Sequence, residues 1–196
     1  MSGTVIFPWK VLSSNTGTPQ TRRLLEDESE TFLMGTPVVL NAGGYLIASP
    51  TLSSALTIAG FAQEAGANLT TEGVAQVASQ GAPLNQSSGK IIAGGAWPND
   101  GRCGVWIADN NTLFIGNVKS TQTPAQSDIG LIYGMTKDGT TNLWYIDKDI
   151  TAAGSGAIFE IVEIPVISGD TLAPSTPVAG GKIVFRVTKA GQQFGI

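Results

Sequence analysis

Histidine is absent from this chain of 196 residues, and cysteine occurs once, at Cys103. Without histidine the chain cannot form a catalytic triad with a histidine base, a histidine-ligated zinc site or a histidine-bound haem. A single cysteine excludes an internal disulfide, a Cys-x-x-Cys redox pair and a cysteine-rich zinc site. We therefore expect a chain that is not an enzyme and has no cofactor or metal, with Cys103 as a small buried apolar residue.

Charge is also scarce, because 13% of the residues are charged, whereas a typical domain has about 25%. The net charge of -4 argues against a nucleic-acid partner, since such a partner requires a basic face. The sequence has no run of about 18 apolar residues, so we expect no transmembrane helix and no membrane partner. The first ten residues lack the basic and apolar regions of a signal peptide, which predicts synthesis in the reducing cytoplasm.

The few charges are unevenly distributed along the chain. Six of them lie within residues 21–30, whereas the 59 residues from Thr31 to Gly89 carry two, Glu64 and Glu72. A free surface usually needs charge for solubility. Two interpretations stay open: the neutral stretch is covered by another subunit, or it is a surface solvated by serine, threonine and asparagine.

Glycine is abundant, with 25 residues, roughly twice the usual share of about 7%, and suits many tight turns. Short apolar runs between glycine, proline and asparagine clusters predict two hairpins, at 36–48 and, through Asp138-Gly139, at 130–147. Further strands are predicted at 57–62, 90–93, 104–107, 112–115, 157–164 and 183–187, with the last two forming a pair. This spacing predicts an all-β fold, a sandwich or barrel with short helical turns.

Residues 1–30 differ from the rest of the chain and predict an extended N-terminal arm before a β-rich domain over 31–196. Proline and glycine interrupt the apolar residues of this segment, and a helical turn is expected at 22–28. Phe7 and Trp9 are apolar residues on this arm, so they need a surface that buries them. That surface is either the parent domain or a neighbouring chain.

Motifs that carry chemistry are incomplete in this chain. Asp147 and Asp149 share one face of a strand but lack the glycine-bearing loop of a calcium site, so we expect a solvated turn. Trp106 and Trp144 lie inside apolar strands and are expected in the core. Trp97 lies on a turn and is therefore the candidate for stacking against a sugar ring.

Several segments together resemble the capsid decoration proteins, also named cement proteins, of tailed bacteriophages. They are TPVVLNAGGYL at 36–46, TIAGFAQEAG at 57–66, GLIYGMT at 130–136, WYID at 144–147, and the C-terminal pair 160–164 and 182–188. The resemblance covers roughly residues 31–196. The stretch 67–109 departs from the compact form of the family and is expected to be an insertion.

This resemblance implies a β-tulip-like or β-sandwich domain that binds the outer surface of an icosahedral capsid, usually as a homotrimer, and stabilises the shell. The implied partners are the major capsid protein and other copies of this chain, and the implied location is the virion. Arg22 and Arg23 could pair with capsid carboxylates. Phe7 and Trp9 would be the stronger anchors, because aromatic residues supply much of the energy of an interface. The alternative function is a carbohydrate-binding or adhesin module that uses Trp97.

Overall fold

The computed structural model describes residues 5–11, 19–27, 32–49, 57–66, 102–151 and 156–194. Within these ranges the chain forms eleven β-strands and two single-turn 3-10 helices, Gln126–Asp128 and Lys189–Gly191. In chain order the strands are β1 (Phe7–Val11), β2 (Thr21–Leu25), β3 (Pro37–Leu40), β4 (Leu46–Ala48), β5 (Gly60–Ala62), β6 (Arg102–Ile107), β7 (Thr112–Asn117), β8 (Ile132–Lys137), β9 (Trp144–Asp147), β10 (Phe159–Glu163) and β11 (Lys182–Val187).

Six strands form one antiparallel sheet in the order β1-β7-β11-β10-β8-β9. β8 and β9 pair as the predicted hairpin, and β10 pairs with β11 as predicted, with Phe159 opposite Val187. Phe159 and Ile161 of β10 are buried, while Glu160 between them is half-buried. This alternation is the period of two that turns one face of a strand toward the core.

The other five strands form a second antiparallel sheet in the order β2-β6-β5-β3-β4. The predicted hairpin of β3 and β4 is present, with Val39 opposite Ile47. Asn41 stabilises its turn, because the side-chain oxygen accepts hydrogen bonds from the N–H groups of Gly43 at 2.9 Å and Tyr45 at 3.0 Å. Asparagine favours turns for this reason, since its side chain bonds to the backbone of the next residues.

Both sheets curl. In each of them an isolated parallel bridge joins strands that are not neighbours in the sheet order. Val118, directly after β7, bridges Ile146 of β9, and Glu26, directly after β2, bridges Leu46 of β4. Neither sheet closes on itself within the described ranges. The predicted all-β class is therefore confirmed, whereas the predicted barrel and tulip details are not.

The two sheets pack face to face on a cluster of phenylalanines. Phe61 of β5 comes from the five-stranded sheet, and its ring centroid lies 4.6 Å from Phe114, 5.9 Å from Phe185 and 6.3 Å from Phe159. All four side chains are fully buried. Aromatic pairs at such separations add about 0.5–1.5 kcal/mol beyond the area they bury, so the cluster binds one layer to the other.

Each sheet also has a smaller apolar cluster outside this central core. In the five-stranded sheet the cluster contains Cys103, which is fully buried, so its predicted role as a small buried apolar residue is confirmed. In the six-stranded sheet Leu113 and Ile115 are buried beneath Phe7 and Ile167. Residues on both faces of this sheet are therefore shielded from water.

The residues that follow the second 3-10 helix connect the two sheets. The side chain of Gln193 accepts a hydrogen bond from the N–H of Leu40 at 2.7 Å and donates one to the carbonyl of Leu40 at 2.8 Å. Gln192 forms a parallel bridge with Ile58, and its amide donates to the carbonyl of Val187 at 3.0 Å. The side-chain amide of Gln193 thus bonds to both backbone groups of Leu40, as a neighbouring strand would at the end of β3. We call Gln192 and Gln193 the glutamine clasp.

The described parts of the predicted N-terminal arm, residues 5–11 and 19–27, each contribute a strand to the domain. β1 pairs with β7, and β2 pairs with β6 along its whole length, so both strands are edges of the sheets. The helical turn predicted at 22–28 is wrong for residues 22–25, which belong to β2. A strand partner satisfies backbone N–H and C=O groups whatever the side chains are, and this pairing overrides the local preference of a charged stretch.

Of the predicted insertion over 67–109, the structure describes residues 102–109. Residues 67–101 lie outside the described ranges, and with them the predicted strand at 90–93. β6 pairs with both β2 and β5, so it is an interior strand of the five-stranded sheet. The buried carboxylate of Asp109 then accepts hydrogen bonds from the N–H groups of Asn111 at 2.9 Å and Thr112 at 2.6 Å. This turn carries the chain from one sheet into the other.

Burial within the chain explains part of the charge-poor stretch. The first three residues of β3 and all three residues of β5 are buried. Interior strands need no charge, so the neutrality of these two strands follows from the fold itself. Leu33 and Met34 of the same stretch are exposed.

Replacing Ile6 by alanine tests whether the segment of β1 belongs to the domain. Ile6 directly precedes β1, is almost fully buried and packs in the core between the sheets. We expect Ile6→Ala to lower the free energy of unfolding by about 2–5 kcal/mol, because the lost methyl groups leave a cavity. Chemical denaturation measures the change. Val166→Ala, at a position that is 66% exposed, is the control and should stay within about 0.5 kcal/mol of the wild type. Equal stability of Ile6→Ala and the wild type would contradict this placement.

Candidate functional site around the β8–β9 hairpin

The turn of the β8–β9 hairpin is built on Asp138. Its carboxylate accepts hydrogen bonds from the N–H groups of Thr141 at 2.7 Å and Thr140 at 3.0 Å. These bonds, with Thr141 as the largest contributor, lower the pKa of the Asp138 carboxyl. Asn142 then takes a left-handed conformation with φ of 58°, which asparagine adopts more readily than most residues. The hairpin predicted through Asp138-Gly139 is therefore confirmed.

Asp147 is a buried carboxylate at the end of β9. It accepts hydrogen bonds from Lys119 Nζ at 3.0 Å, Gln122 Nε2 at 2.9 Å and Thr136 Oγ1 at 2.8 Å. Burial acts to raise the pKa of Asp147, but these bonds, led by that of Lys119, hold the pKa below its ordinary value. The same contact raises the pKa of Lys119. The loop after β7 is thereby tied to the hairpin.

Asp128 is a second buried carboxylate, at the end of the first 3-10 helix. It accepts hydrogen bonds from the Ala125 N–H at 2.8 Å and the Tyr133 hydroxyl at 3.0 Å, and it pairs with Lys148 at 2.7 Å. Burial acts to raise the pKa of Asp128, but these partners, led by Lys148, lower it. Burial and the adjacent carboxylate raise the pKa of Tyr133 to about 12. Tyr133 therefore remains a hydrogen-bond donor at neutral pH.

Both carboxylates find their partners within the chain. The solvated turn predicted for Asp147 and Asp149 is wrong for Asp147, which is buried, whereas Asp149 is exposed. The ranges described above contain no group of three His, Cys, Asp or Glu side chains that could hold a metal ion. We assign Asp128 and Asp147 a structural role, because each of these buried carboxylates is held by charge-assisted hydrogen bonds.

An apolar surface lies at the start of the hairpin. Ile129, Leu131 and Ile132 are 42, 49 and 42% exposed, respectively, although all three are large aliphatic residues. Two backbone hydrogen bonds hold this stretch to β10, from the Gly130 N–H to the Ile161 carbonyl at 2.8 Å and from the Ile161 N–H to the Leu131 carbonyl at 3.0 Å. We call Ile129, Leu131 and Ile132 the apolar ridge.

A cavity of about 320 Å³ lies where the other end of the hairpin meets the five-stranded sheet. Its lining includes Lys137, Asn142 and Trp144 of the hairpin, Phe32, Thr36 and Ser49 next to β3 and β4, and two small residues that follow β5. Trp144 is 4% exposed, which confirms its predicted place in the core. Its indole Nε1–H nevertheless has no hydrogen-bond partner in the part of the chain that the structure describes. We call this cavity the hairpin cleft.

The sequence predicts partner contacts at Phe7, Trp9, Arg22, Arg23 and Trp97. Phe7 is half-buried against the apolar cluster of the six-stranded sheet. Trp9 lies in β1, and its side chain is outside what the structure describes, as is all of Trp97. Trp106, predicted in the core, is partly buried and packs against the cluster between the sheets. Phe7 thus has a structural role, and its contact with a partner remains a prediction.

The two arginines of β2 are exposed but engaged within the chain. The guanidinium of Arg22 lies 4.9 Å from the ring centroid of Phe194. Arg23 pairs with Glu64 at 3.3 Å and donates a hydrogen bond to the carbonyl of Arg102 at 2.7 Å. Neither arginine belongs to the β8–β9 hairpin, and their contact with a partner also remains a prediction.

Sequence reasoning misses both the apolar ridge and the hairpin cleft. The ridge resembles the interior of a strand, because three of its four consecutive positions are aliphatic. The signal that could have found it is Gly130, which separates Ile129 from Leu131 and disturbs the period of two that a half-buried strand requires. The cleft has no comparable signal, because its lining comes from distant parts of the chain.

Acid titration of stability tests the role of Asp147. Its folded-state pKa lies below the ordinary value of about 3.9, so the unfolded chain takes up this proton at a higher pH than the folded chain. The stabilisation is therefore complete above about pH 4 and is lost as the pH falls through the folded-state pKa. We expect Asp147→Asn to lower the free energy of unfolding at neutral pH by about 1.5–3 kcal/mol and to flatten its acid dependence.

Urea denaturation over a series of acidic pH values measures this dependence. Asp149→Asn is the matched control, because Asp149 is exposed and its contact with Lys119 is longer, at 3.6 Å. The control should keep the acid dependence of the wild type. An Asp147→Asn variant that loses stability with acid as steeply as the wild type would show that another group is responsible.

Models of known protein families, curated proteins and solved structures provide no match for this chain. In the ranges listed for the fold, no helix has the length and apolar character needed to cross a membrane. The described surface does offer the apolar ridge and the hairpin cleft, which lie at opposite ends of β8.

Proposed function

We propose that this chain is a structural virion protein that binds the outer surface of an icosahedral bacteriophage capsid as a homo-oligomer, a trimer, and stabilises the shell. The resemblance of residues 31–196 to tailed-phage decoration proteins suggests this role. The apolar ridge is the observation that carries the proposal. Two backbone hydrogen bonds to β10 support it by holding the ridge against the six-stranded sheet.

The ridge has the composition of an interface centre. Single exposed apolar residues are normal on a protein surface, whereas contiguous ones mark contact sites. Beside the ridge, Glu160 lies opposite Ile132, and Arg186 holds Glu160 with two hydrogen bonds of 2.9 and 3.0 Å. An apolar centre with a polar rim is the usual anatomy of an interface. We therefore assign the ridge to contact between copies of the chain.

The edge of the five-stranded sheet is the surface that we assign to the capsid. Arg22, Arg23 and Arg102 are exposed there, on β2 and β6. Each exposed pair with a capsid carboxylate contributes about 0–1 kcal/mol, so a single copy binds weakly. An oligomer repeats every weak contact, and avidity raises the total strength. Charged residues on an edge strand also oppose open-ended strand pairing, which favours a closed assembly.

The oligomeric state of the purified protein tests the ridge. Light scattering coupled to size-exclusion chromatography should give a trimer for the wild type and a monomer for the double variant Leu131→Ser, Ile132→Ser. Val166→Ser is the matched control, because Val166 is a more exposed apolar residue outside the ridge, and it should remain trimeric. Circular dichroism should show the wild-type fold for all of them, since surface substitutions change stability by about 0.5 kcal/mol or less.

Co-sedimentation with capsids assembled from the major capsid protein of the same genome tests the partner. We expect the wild type to pellet with the capsids and to raise their resistance to heat. The ridge variant should bind at least about tenfold more weakly, because it loses avidity. Arg22→Ala, Arg23→Ala should stay trimeric and bind less. A wild-type protein that is monomeric and never associates with the shell would exclude the proposal.

A further inference from the structure

The hairpin cleft has the size and lining of a small-ligand site. Its volume of about 320 Å³ is at the lower end of the ~300–1,000 Å³ that ligand pockets span, which limits the occupant to about one ring. Phe32 and Trp144 supply aromatic surface, and Thr36 supplies a hydroxyl. Apolar walls with a few convergent polar groups are the usual composition of a binding site.

Three residues of the hairpin that line the cleft carry hydrogen-bond donors. Lys137 contributes an ammonium group, Asn142 an amide and Trp144 an indole N–H. The indole is the most informative of these, because Trp144 is buried and its Nε1–H finds no partner among the described residues. A buried donor without an acceptor is unfavourable. An acceptor that reaches this N–H from the cleft would therefore satisfy a buried donor.

The cleft also has a local positive charge. Lys137 is exposed, and no aspartate or glutamate belongs to the described lining. Although the chain has a net charge of -4, the local positive charge of Lys137 favours an anionic ligand over a neutral or cationic one. A single ammonium group matches a ligand with one negative charge.

We propose that the hairpin cleft binds one sugar ring that carries a carboxylate, as in a uronic acid. The carboxylate faces Lys137, the oxygens of the ring accept hydrogen bonds from Asn142 and Trp144, and the apolar face of the ring lies against the aromatic lining. The turn fixes Asn142 in advance, because its N–H donates to the Asp138 carbonyl at 3.0 Å. The inference goes beyond the capsid proposal and requires neither the apolar ridge nor a trimer.

Titration of the purified protein with D-glucuronate tests this site. Heteronuclear NMR spectra follow the indole N–H resonances, and Trp144→Phe assigns the resonance of Trp144. We expect this resonance to shift as D-glucuronate is added. D-glucose, which lacks the carboxylate, should bind at least about tenfold more weakly, because hydrogen bonds to charged groups are the stronger ones.

Lys137→Gln removes the charge and keeps a donor at the same position. We expect it to reduce the affinity for D-glucuronate at least about tenfold and to leave the affinity for D-glucose unchanged. Lys189→Gln is the matched control, because Lys189 is an exposed lysine in the second 3-10 helix and does not line the cleft. Asn142→Gly allows the left-handed backbone and removes the amide, so it should weaken the binding of both sugars.

Three results would overturn the proposal. The first is the absence of any shift of the Trp144 resonance with D-glucuronate, and the second is equal affinity of Lys137→Gln and the wild type. The third is equal binding of acetate or inorganic phosphate, which would make the cleft a site for simple anions. The titration uses the protein alone, so its failure leaves the capsid proposal standing, and failure to bind capsids leaves the sugar site standing.

Discussion

The structure depends on one interaction between its two sheets, the packing of Phe61 against Phe114, Phe159 and Phe185. Burial of these rings removes a large apolar surface from water, which is the main favourable contribution to folding. The close approach of β5 to β6 requires Gly60, because a Cβ at this position would lie 1.9 Å from the carbonyl oxygen of Trp106. Phe159 of β10 and Phe185 of β11 take part in this packing, and the β8–β9 hairpin is attached to β10 in the same sheet.

The β8–β9 hairpin connects this core to both surfaces that have a proposed function. Tyr133 and Ile146 belong to the central core, and β8 begins at the apolar ridge and ends at the hairpin cleft. Asp128 and Asp147 fix the neighbouring loop through satisfied buried hydrogen bonds, which favour one arrangement over its alternatives. A surface that is fixed before contact loses less conformational entropy on binding. This property suits both a contact repeated across a capsid and a preformed sugar site.

The predictable parts of the fold are those whose partners are close in sequence. The β3–β4 and β8–β9 hairpins follow from apolar runs separated by turn residues, and both are present. β1 and β2 are not predictable in this way, because their partners β7 and β6 lie far along the chain and the charges of Arg22 and Arg23 are typical of a free surface. The site is less predictable still. The apolar pattern places Trp144 in the core, but it contains no information on the unpaired indole N–H or on the cavity shared with Lys137 and Phe32.

The position of β11 delays the pairing of two strands that precede it in the chain. β11 pairs with β7 on one side and β10 on the other. Because β7 and β10 are synthesised before β11, each of them has an unpaired edge until residue 187 has left the ribosome. Unpaired edges attract strands of other chains, and pairing between distant strands is slow. Nascent chains on one polysome therefore hold identical open edges close together. A cell that makes many copies must shield these edges until β11 has been synthesised.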